Sequence, residues 1–188
     1  MRPITSLLAT SAAIFGLVAA PAFAADTYTF NADHTFVGFE YNHFGFSHMN
    51  AKFMNIAGTV TLDQVSPANS SVAVSFTIDG LNTGVAKLDA DLKAPNFFDA
   101  AKYPNVTFKS TQVVLTGATT ADVTGDLTLH GVTKPVTLHV TLNKISDDKA
   151  KAGFSATGSL LRSDFGITTF LPMVPDQVDL TIEAEAKK

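Results

Sequence analysis

The chain has 188 residues, of which 46% are hydrophobic and 16% charged, with a formal net charge of −4 at pH 7 and no cysteine. Lack of Cys excludes disulfides, thiolate metal sites and cysteine nucleophiles. The acidic balance, with no basic stripe, argues against a nucleic-acid partner. The length implies one domain, large enough to bury its own core.

Residues 1–24, "MRPITSLLATSAAIFGLVAAPAFA", place Arg2 ahead of an apolar run from Leu7 to Ala20 and an Ala22-x-Ala24 site. That is the layout of a secretory signal peptide cut after Ala24. The run is shorter than the roughly 20 residues that span a bilayer. The expected folded domain is therefore 25–188. Export without disulfides points to a bacterial periplasm.

From there the chain reads as strands. Candidates at Phe36–Tyr41 and Phe53–Leu62 precede "SVAVSFTI", where Val72, Val74, Phe76 and Ile78 alternate with Ser71, Ala73, Ser75 and Thr77. A helical interruption follows at about residues 85–103. In it "VAKLDADLK" puts Val85, Leu88 and Leu92 on one side, Pro95 stops the helix, and Asn96 opens a second short turn, "FFDAAK". Alternation resumes at Val106/Phe108, Val113/Leu115 and Leu127/Leu129, then in "PVTLHVTL", at Phe154–Leu161 and in "QVDLTIEAEA". About eight half-polar strands result, which predicts an all-β, antiparallel barrel or sandwich with a short helical insert placed to cover one end.

The 15 Phe, with no Trp, are too many for strand faces alone. Phe76 and Phe108 sit on inward faces. Phe36, Phe39, Phe44, Phe46 and Phe53 crowd one bend; Phe97 and Phe98 sit in the insert; Phe165, Phe170 and Met173 lie in a segment broken by Pro172 and Pro175. Either they plug the barrel ends, or they line an apolar ligand cavity.

Four stretches, "NADHTFVGFEYNHFG", "DADLKAPNFFDAAKYPNVTFKSTQV", "VTGDLTLHGVTKPVTLHV" and "LRSDFGI", resemble in order and spacing the YceI-like family of periplasmic polyisoprenoid-binding proteins. The resemblance covers about Tyr28 to Glu185. One departure is Ala51, in "NAKF", where the family usually carries Gly. The resemblance implies an eight-stranded lipocalin-like barrel whose channel holds an isoprenoid or similar lipid: a polyprenyl phosphate, a quinone or a fatty amide. On this reading Phe36, Phe39, Phe44, Phe46, Phe53, Phe76, Ile78, Leu88, Leu92, Phe97, Phe98, Phe108, Phe165, Phe170 and Met173 line the channel, and the bound lipid stands in place of a cofactor. A membrane electron-transfer partner that receives quinone, and a homodimer formed at a wide mouth, stay open as partners.

Three polar residues are candidates for a headgroup contact. His34 either meets a headgroup or bonds within the strand ladder. Arg162 and Asp164, at i and i+2, share a face if they lie on a strand, where they either staple strands or present a guanidinium to a phosphate or carbonyl. His130 reads as part of a hairpin with Gly131. No Gly-x-Ser-x-Gly elbow, paired carboxylates or Gly-rich phosphate loop is present, so the sequence reads as a binding protein and not an enzyme. The alternative is a metal- or haem-associated periplasmic stress protein using His34, His43 or His48.

Overall fold

The computed structural model describes residues 25–188, and the leader expected over 1–24 lies outside them. The strand segments, in chain order, are β1 (Asp26–Phe30), β2 (Phe36–His43), β3 (Ser47–Phe53), β4 (Ala57–Leu62), β5 (Ser71–Thr77), β6 (Leu81–Asn82), β7 (Asn105–Leu115), β8 (Thr120–Leu129), β9 (Val132–Ile145), β10 (Lys151–Leu161) and β11 (Gln177–Lys187). Helix α1 (Ala86–Lys93) lies between β6 and β7. All pairings are antiparallel, and β1 pairs with β11 to close the sheet. Three barrel strands are each broken in two. β1 and β2 both lie along β11, β4 and β3 continue one another beside them, and β5 and β6 do the same beside β4 and β3. Counted this way, the molecule is the expected closed barrel of eight antiparallel strands.

The breaks have local causes. After β1, the Asn31 side chain accepts the Asp33 N–H at 3.3 Å and starts a turn of 3₁₀ helix, while the Asn31 N–H still reaches the Glu185 carbonyl at 2.8 Å. The run expected to be one strand over Phe53–Leu62 is two, because Asn55 adopts φ +60°, a left-handed conformation that Asn tolerates. Gly58, at φ +142°, then passes so close to β5 that a Cβ there would lie 2.1 Å from the Ala73 carbonyl oxygen. Ala51, by contrast, sits in a regular ladder opposite Phe39 with its side chain buried.

Alternation along the strands fixes which side chains face in. On β5 the half-buried Val72, Val74 and Phe76 alternate with exposed Ser71, Ala73 and Ser75. One end of the barrel, called upper here, carries the β2–β3 turn, α1 with the turns to Pro104, the β8–β9 hairpin and residues 162–176; the lower end carries loops 63–70, 116–119 and 146–150. The β8–β9 hairpin expected at Gly131 is present, with a two-residue loop. His130 and Gly131 take φ +52° and +75°, as a type I′ turn demands. His130 Nδ1 donates to the Phe165 carbonyl at 2.8 Å and so ties the hairpin to residues 162–165. Buried side chains form a large cluster toward the upper end, around Phe39, Phe53, Ile78, Leu81 and Phe165. A smaller one, around Tyr28 and Val60, lies toward the lower end.

Candidate functional site: an apolar channel

The inward faces do not meet. They enclose a cavity of about 750 Å³, walled by Val, Leu, Ile, Phe and Ala from the barrel strands and roofed by the insert. That is within the ~300–1,000 Å³ range of ligand sites. The inward row on β9 alone follows it from Val136 through Leu138, Val140 and Leu142 to Ile145, roughly 30 Å along the strand at 3.3 Å per residue. Asp63, Gln64, Ser70, Ala118 and Thr119 border it at the lower end; His43, Phe44, Asn96, Phe97 and Phe170 border it at the upper end. Of the two readings of the Phe, the apolar cavity and not the end plug describes the interior of this barrel.

The insert is built to hold its aromatics over the channel. Val85 offers no polar cap to α1 and is exposed, against the expectation that it shares the apolar side with Leu88 and Leu92. Asp89 reaches back instead, accepting the Thr83 N–H at 2.7 Å and the Thr83 hydroxyl at 2.6 Å. Those two bonds hold its carboxyl below the usual aspartate range. Lys93 donates to the Asp79 carbonyl, and Lys87 pairs with Asp91 along the helix. After α1 the chain winds through turns in which the Phe98 N–H bonds to the Leu92 carbonyl and Asp99 takes φ +46°. Phe98 thereby lands edge-on against Phe39 and Phe53, at ring separations of 5.9 and 5.6 Å. Phe97 faces Phe170, which in turn meets Phe44. The Thr169 hydroxyl donates to the Asn96 carbonyl and fastens the insert to the neighbouring segment.

Of the residues expected in the channel, Phe39, Phe44, Phe53, Phe76, Leu88, Leu92, Phe97, Phe98, Phe108 and Phe170 lie on its wall. The other five do not. Phe36 points to the outer face, where the Lys52 ammonium sits 4.0 Å from its ring. Phe46 and Met173 project into solvent. Ile78 and Phe165 are fully buried in the upper cluster, packed behind wall residues, and do not border the cavity themselves. For four of them the alternation rule gave out where the strand did: Ile78 and Phe165 sit in 3₁₀ turns, Phe46 and Met173 in loops. Phe36 lies within β2, and there alternation itself turns it outward, opposite to Val37, Phe39 and Tyr41. Sequence reasoning missed Phe30, Tyr41 and Phe154, all on the wall. Tyr41 was legible, being two residues from Phe39 on the same strand face. Its hydroxyl has no hydrogen-bond partner among the described residues, and burial raises its pKa.

The polar candidates also part company. His34 is on the outer surface, 2.8 Å from Asn31 and 3.6 Å from Glu185, and does not border the cavity. Arg162 and Asp164 do not pair, because "RSDF" forms a turn of 3₁₀ helix and not a strand. Asp164 is exposed. Arg162 is only 7% exposed, and it donates to four backbone carbonyls: Pro175 at 3.0 Å, Ile167 at 3.0 Å, Thr169 at 2.8 Å and Val174 at 2.7 Å. It also borders the cavity, and its hydrogen bonds make it a staple, as one sequence alternative had it, for the loop 166–175 and not for two strands. Burial lowers its pKa, with Asp176 opposing. Asp176 is itself held below the usual range, chiefly by the Ser163 hydroxyl.

Metal chemistry gains no support. Among the described residues no three His, Asp or Glu side chains converge as a metal-holding group. His48 pairs with Glu40 at 2.7 Å, and His34 lies off the opposite end of β2 from His43, more than ~20 Å away at the rise of a strand.

The family model for the YceI-like domain matches residues 28–186. The chain belongs to the YceI-like family. It is 41% identical over 155 residues to Protein YceI of Escherichia coli O157:H7, covering 81% of each chain. Its fold is similar to that of BcnA from Burkholderia cenocepacia, with a TM-score of 0.78, 22% identity, and 84% of this chain and 99% of that one covered. A polyisoprenoid binding domain from Saccharophagus degradans implicated in plant cell wall breakdown matches with a TM-score of 0.64 and 14% identity, covering 85% of this chain and 97% of that one. At those identities the two structures bear on the barrel alone.

Proposed function

We propose that this YceI-like protein is a carrier, not an enzyme, and that it holds one long-chain isoprenoid or similar lipid in the channel after export to the periplasm. The observation that carries the reading is the cavity itself: a long void of about 750 Å³ whose wall is aliphatic and aromatic along the barrel's length. Such a space left to water would hold on the order of 25 molecules at ~30 Å³ each, against surfaces that offer them few hydrogen bonds. An acyl or prenyl chain gains ~0.8 kcal/mol per buried CH₂, so about 15 carbons supply roughly 12 kcal/mol before the cost of ordering the chain. The polyisoprenoid-binding description of the Saccharophagus domain with the same fold supports this ligand class.

Organic extraction and mass spectrometry of the protein from its native envelope tests the proposal, together with titration by geranylgeraniol. A co-purifying isoprenoid or lipid and saturable one-to-one uptake are the expected results. A protein that extracts empty and also takes up no long-chain alcohol would overturn it.

A further inference from the structure

The upper end displays large apolar side chains that are half or more exposed. Phe46 is 90% exposed, Met173 61% and Phe170 50%. They form one rim, because the β2–β3 turn and the 166–175 loop touch: Phe44 and Phe170 meet at a ring separation of 5.7 Å. Phe44 and Phe170 both take positive φ, 55° and 64°, an uncommon conformation for a bulky residue. Both also line the cavity, so the rim and the channel wall are one continuous apolar surface. Neither 44–47, "FGFS", nor 166–175, "GITTFLPMVP", contains a charged residue or His. Charges stand beside this uncharged rim at the same end, on the insert (Lys87, Asp91, Asp99, Lys102) and at Asp164, and the lower-end loops carry Asp63, Asp147, Asp148 and Lys149.

We infer that this rim docks on a lipid bilayer, with Phe46, Phe170 and Met173 entering the interface so that cargo passes between membrane and channel without crossing water. The inference rests on the carrier reading. A prenyl chain leaving a bilayer through water forfeits its transfer energy carbon by carbon, and an apolar rim seated in the interface removes that barrier. A second copy of the chain fits the rim less well. At ~200 Å² per large side chain, the three exposed fractions amount to about 400 Å², half of the ~800 Å² per partner that a standard interface buries. Shallow insertion of a few apolar tips is what an interfacial anchor needs.

The chain has no Trp, so a single introduced Trp reports without background. F46W and, as the lower-end control, V65W at another exposed apolar site are mixed with phosphatidylcholine vesicles carrying brominated acyl chains. The expected result is a blue shift and quenching for F46W and neither for V65W. Co-sedimentation should fall at least ~10-fold in F46S/M173S, with geranylgeraniol uptake from solution unchanged. An F46W signal no more quenched than V65W, or undiminished sedimentation of F46S/M173S, overturns the docking surface. So does a rim-dependent dimer in sedimentation velocity with F46W unquenched by vesicles. If F46W is quenched but no variant takes up geranylgeraniol, the docking stands and the carrier reading fails.

Discussion

Arg162 shows how one side chain can hold a loop that has no regular structure. Its guanidinium satisfies four carbonyls of residues 167–175, which a point charge on a flexible stem cannot do from one position. Arg162→Ala should cost roughly 3–5 kcal/mol in denaturant unfolding, and Arg162→Lys should recover little of it. Tyr41 is the opposite case: it borders the channel, and its hydroxyl bonds to nothing described. Tyr41→Phe should leave stability within about 0.5 kcal/mol of wild type. It should weaken geranylgeraniol binding about 5-fold, one net hydrogen bond, while leaving affinity for the hydrocarbon squalene unchanged. Calorimetric titration with both ligands checks this.

At the scale of elements, the insert depends on a carboxylate. Asp63, Asp89, Asp148 and Asp176 all sit below their ordinary pKa in the folded chain. The stability they contribute is therefore complete above the unfolded value near 3.9 and is lost as pH falls through the folded values. Thermal unfolding between pH 7 and 3 should show a plateau, then a decline below about pH 4. Asp89→Asn should melt lower than wild type at pH 7, with the gap narrowing as the acid limb is entered. Strands that alternate cleanly, such as β5, β9 and β11, were readable from sequence because one face is wet and the other dry. What escaped were several places where a strand stops: the breaks at Asn31 and Asn55, the 3₁₀ turn that parts Arg162 from Asp164, and the loops that send Phe46 and Met173 outward. In those stretches the backbone direction is set by single side-chain bonds and by close approaches such as Gly58 to Ala73, and periodicity carries no information about either.

For the whole molecule, the cavity separates folding from binding. Ala156 borders the channel on β10, and Ala156→Trp should leave the far-ultraviolet circular dichroism of the barrel intact while abolishing uptake of a long-chain alcohol. Conversely, a bound chain should raise stability in the wild type only, by about 2.7 kcal/mol at a hundredfold excess over Kd. The closure of the barrel has a further consequence. Its first strand finds a partner in its last: Thr35 bonds to Glu185, 150 residues away, and Phe30 lies opposite Ala186. Contacts of such long range are formed late and slowly. As the chain emerges N-terminus first, the segment that appears earliest must wait, one edge unpaired, until the final strand arrives. The seam is thus both the youngest contact in the barrel's assembly and the period of its greatest exposure to other unfinished chains.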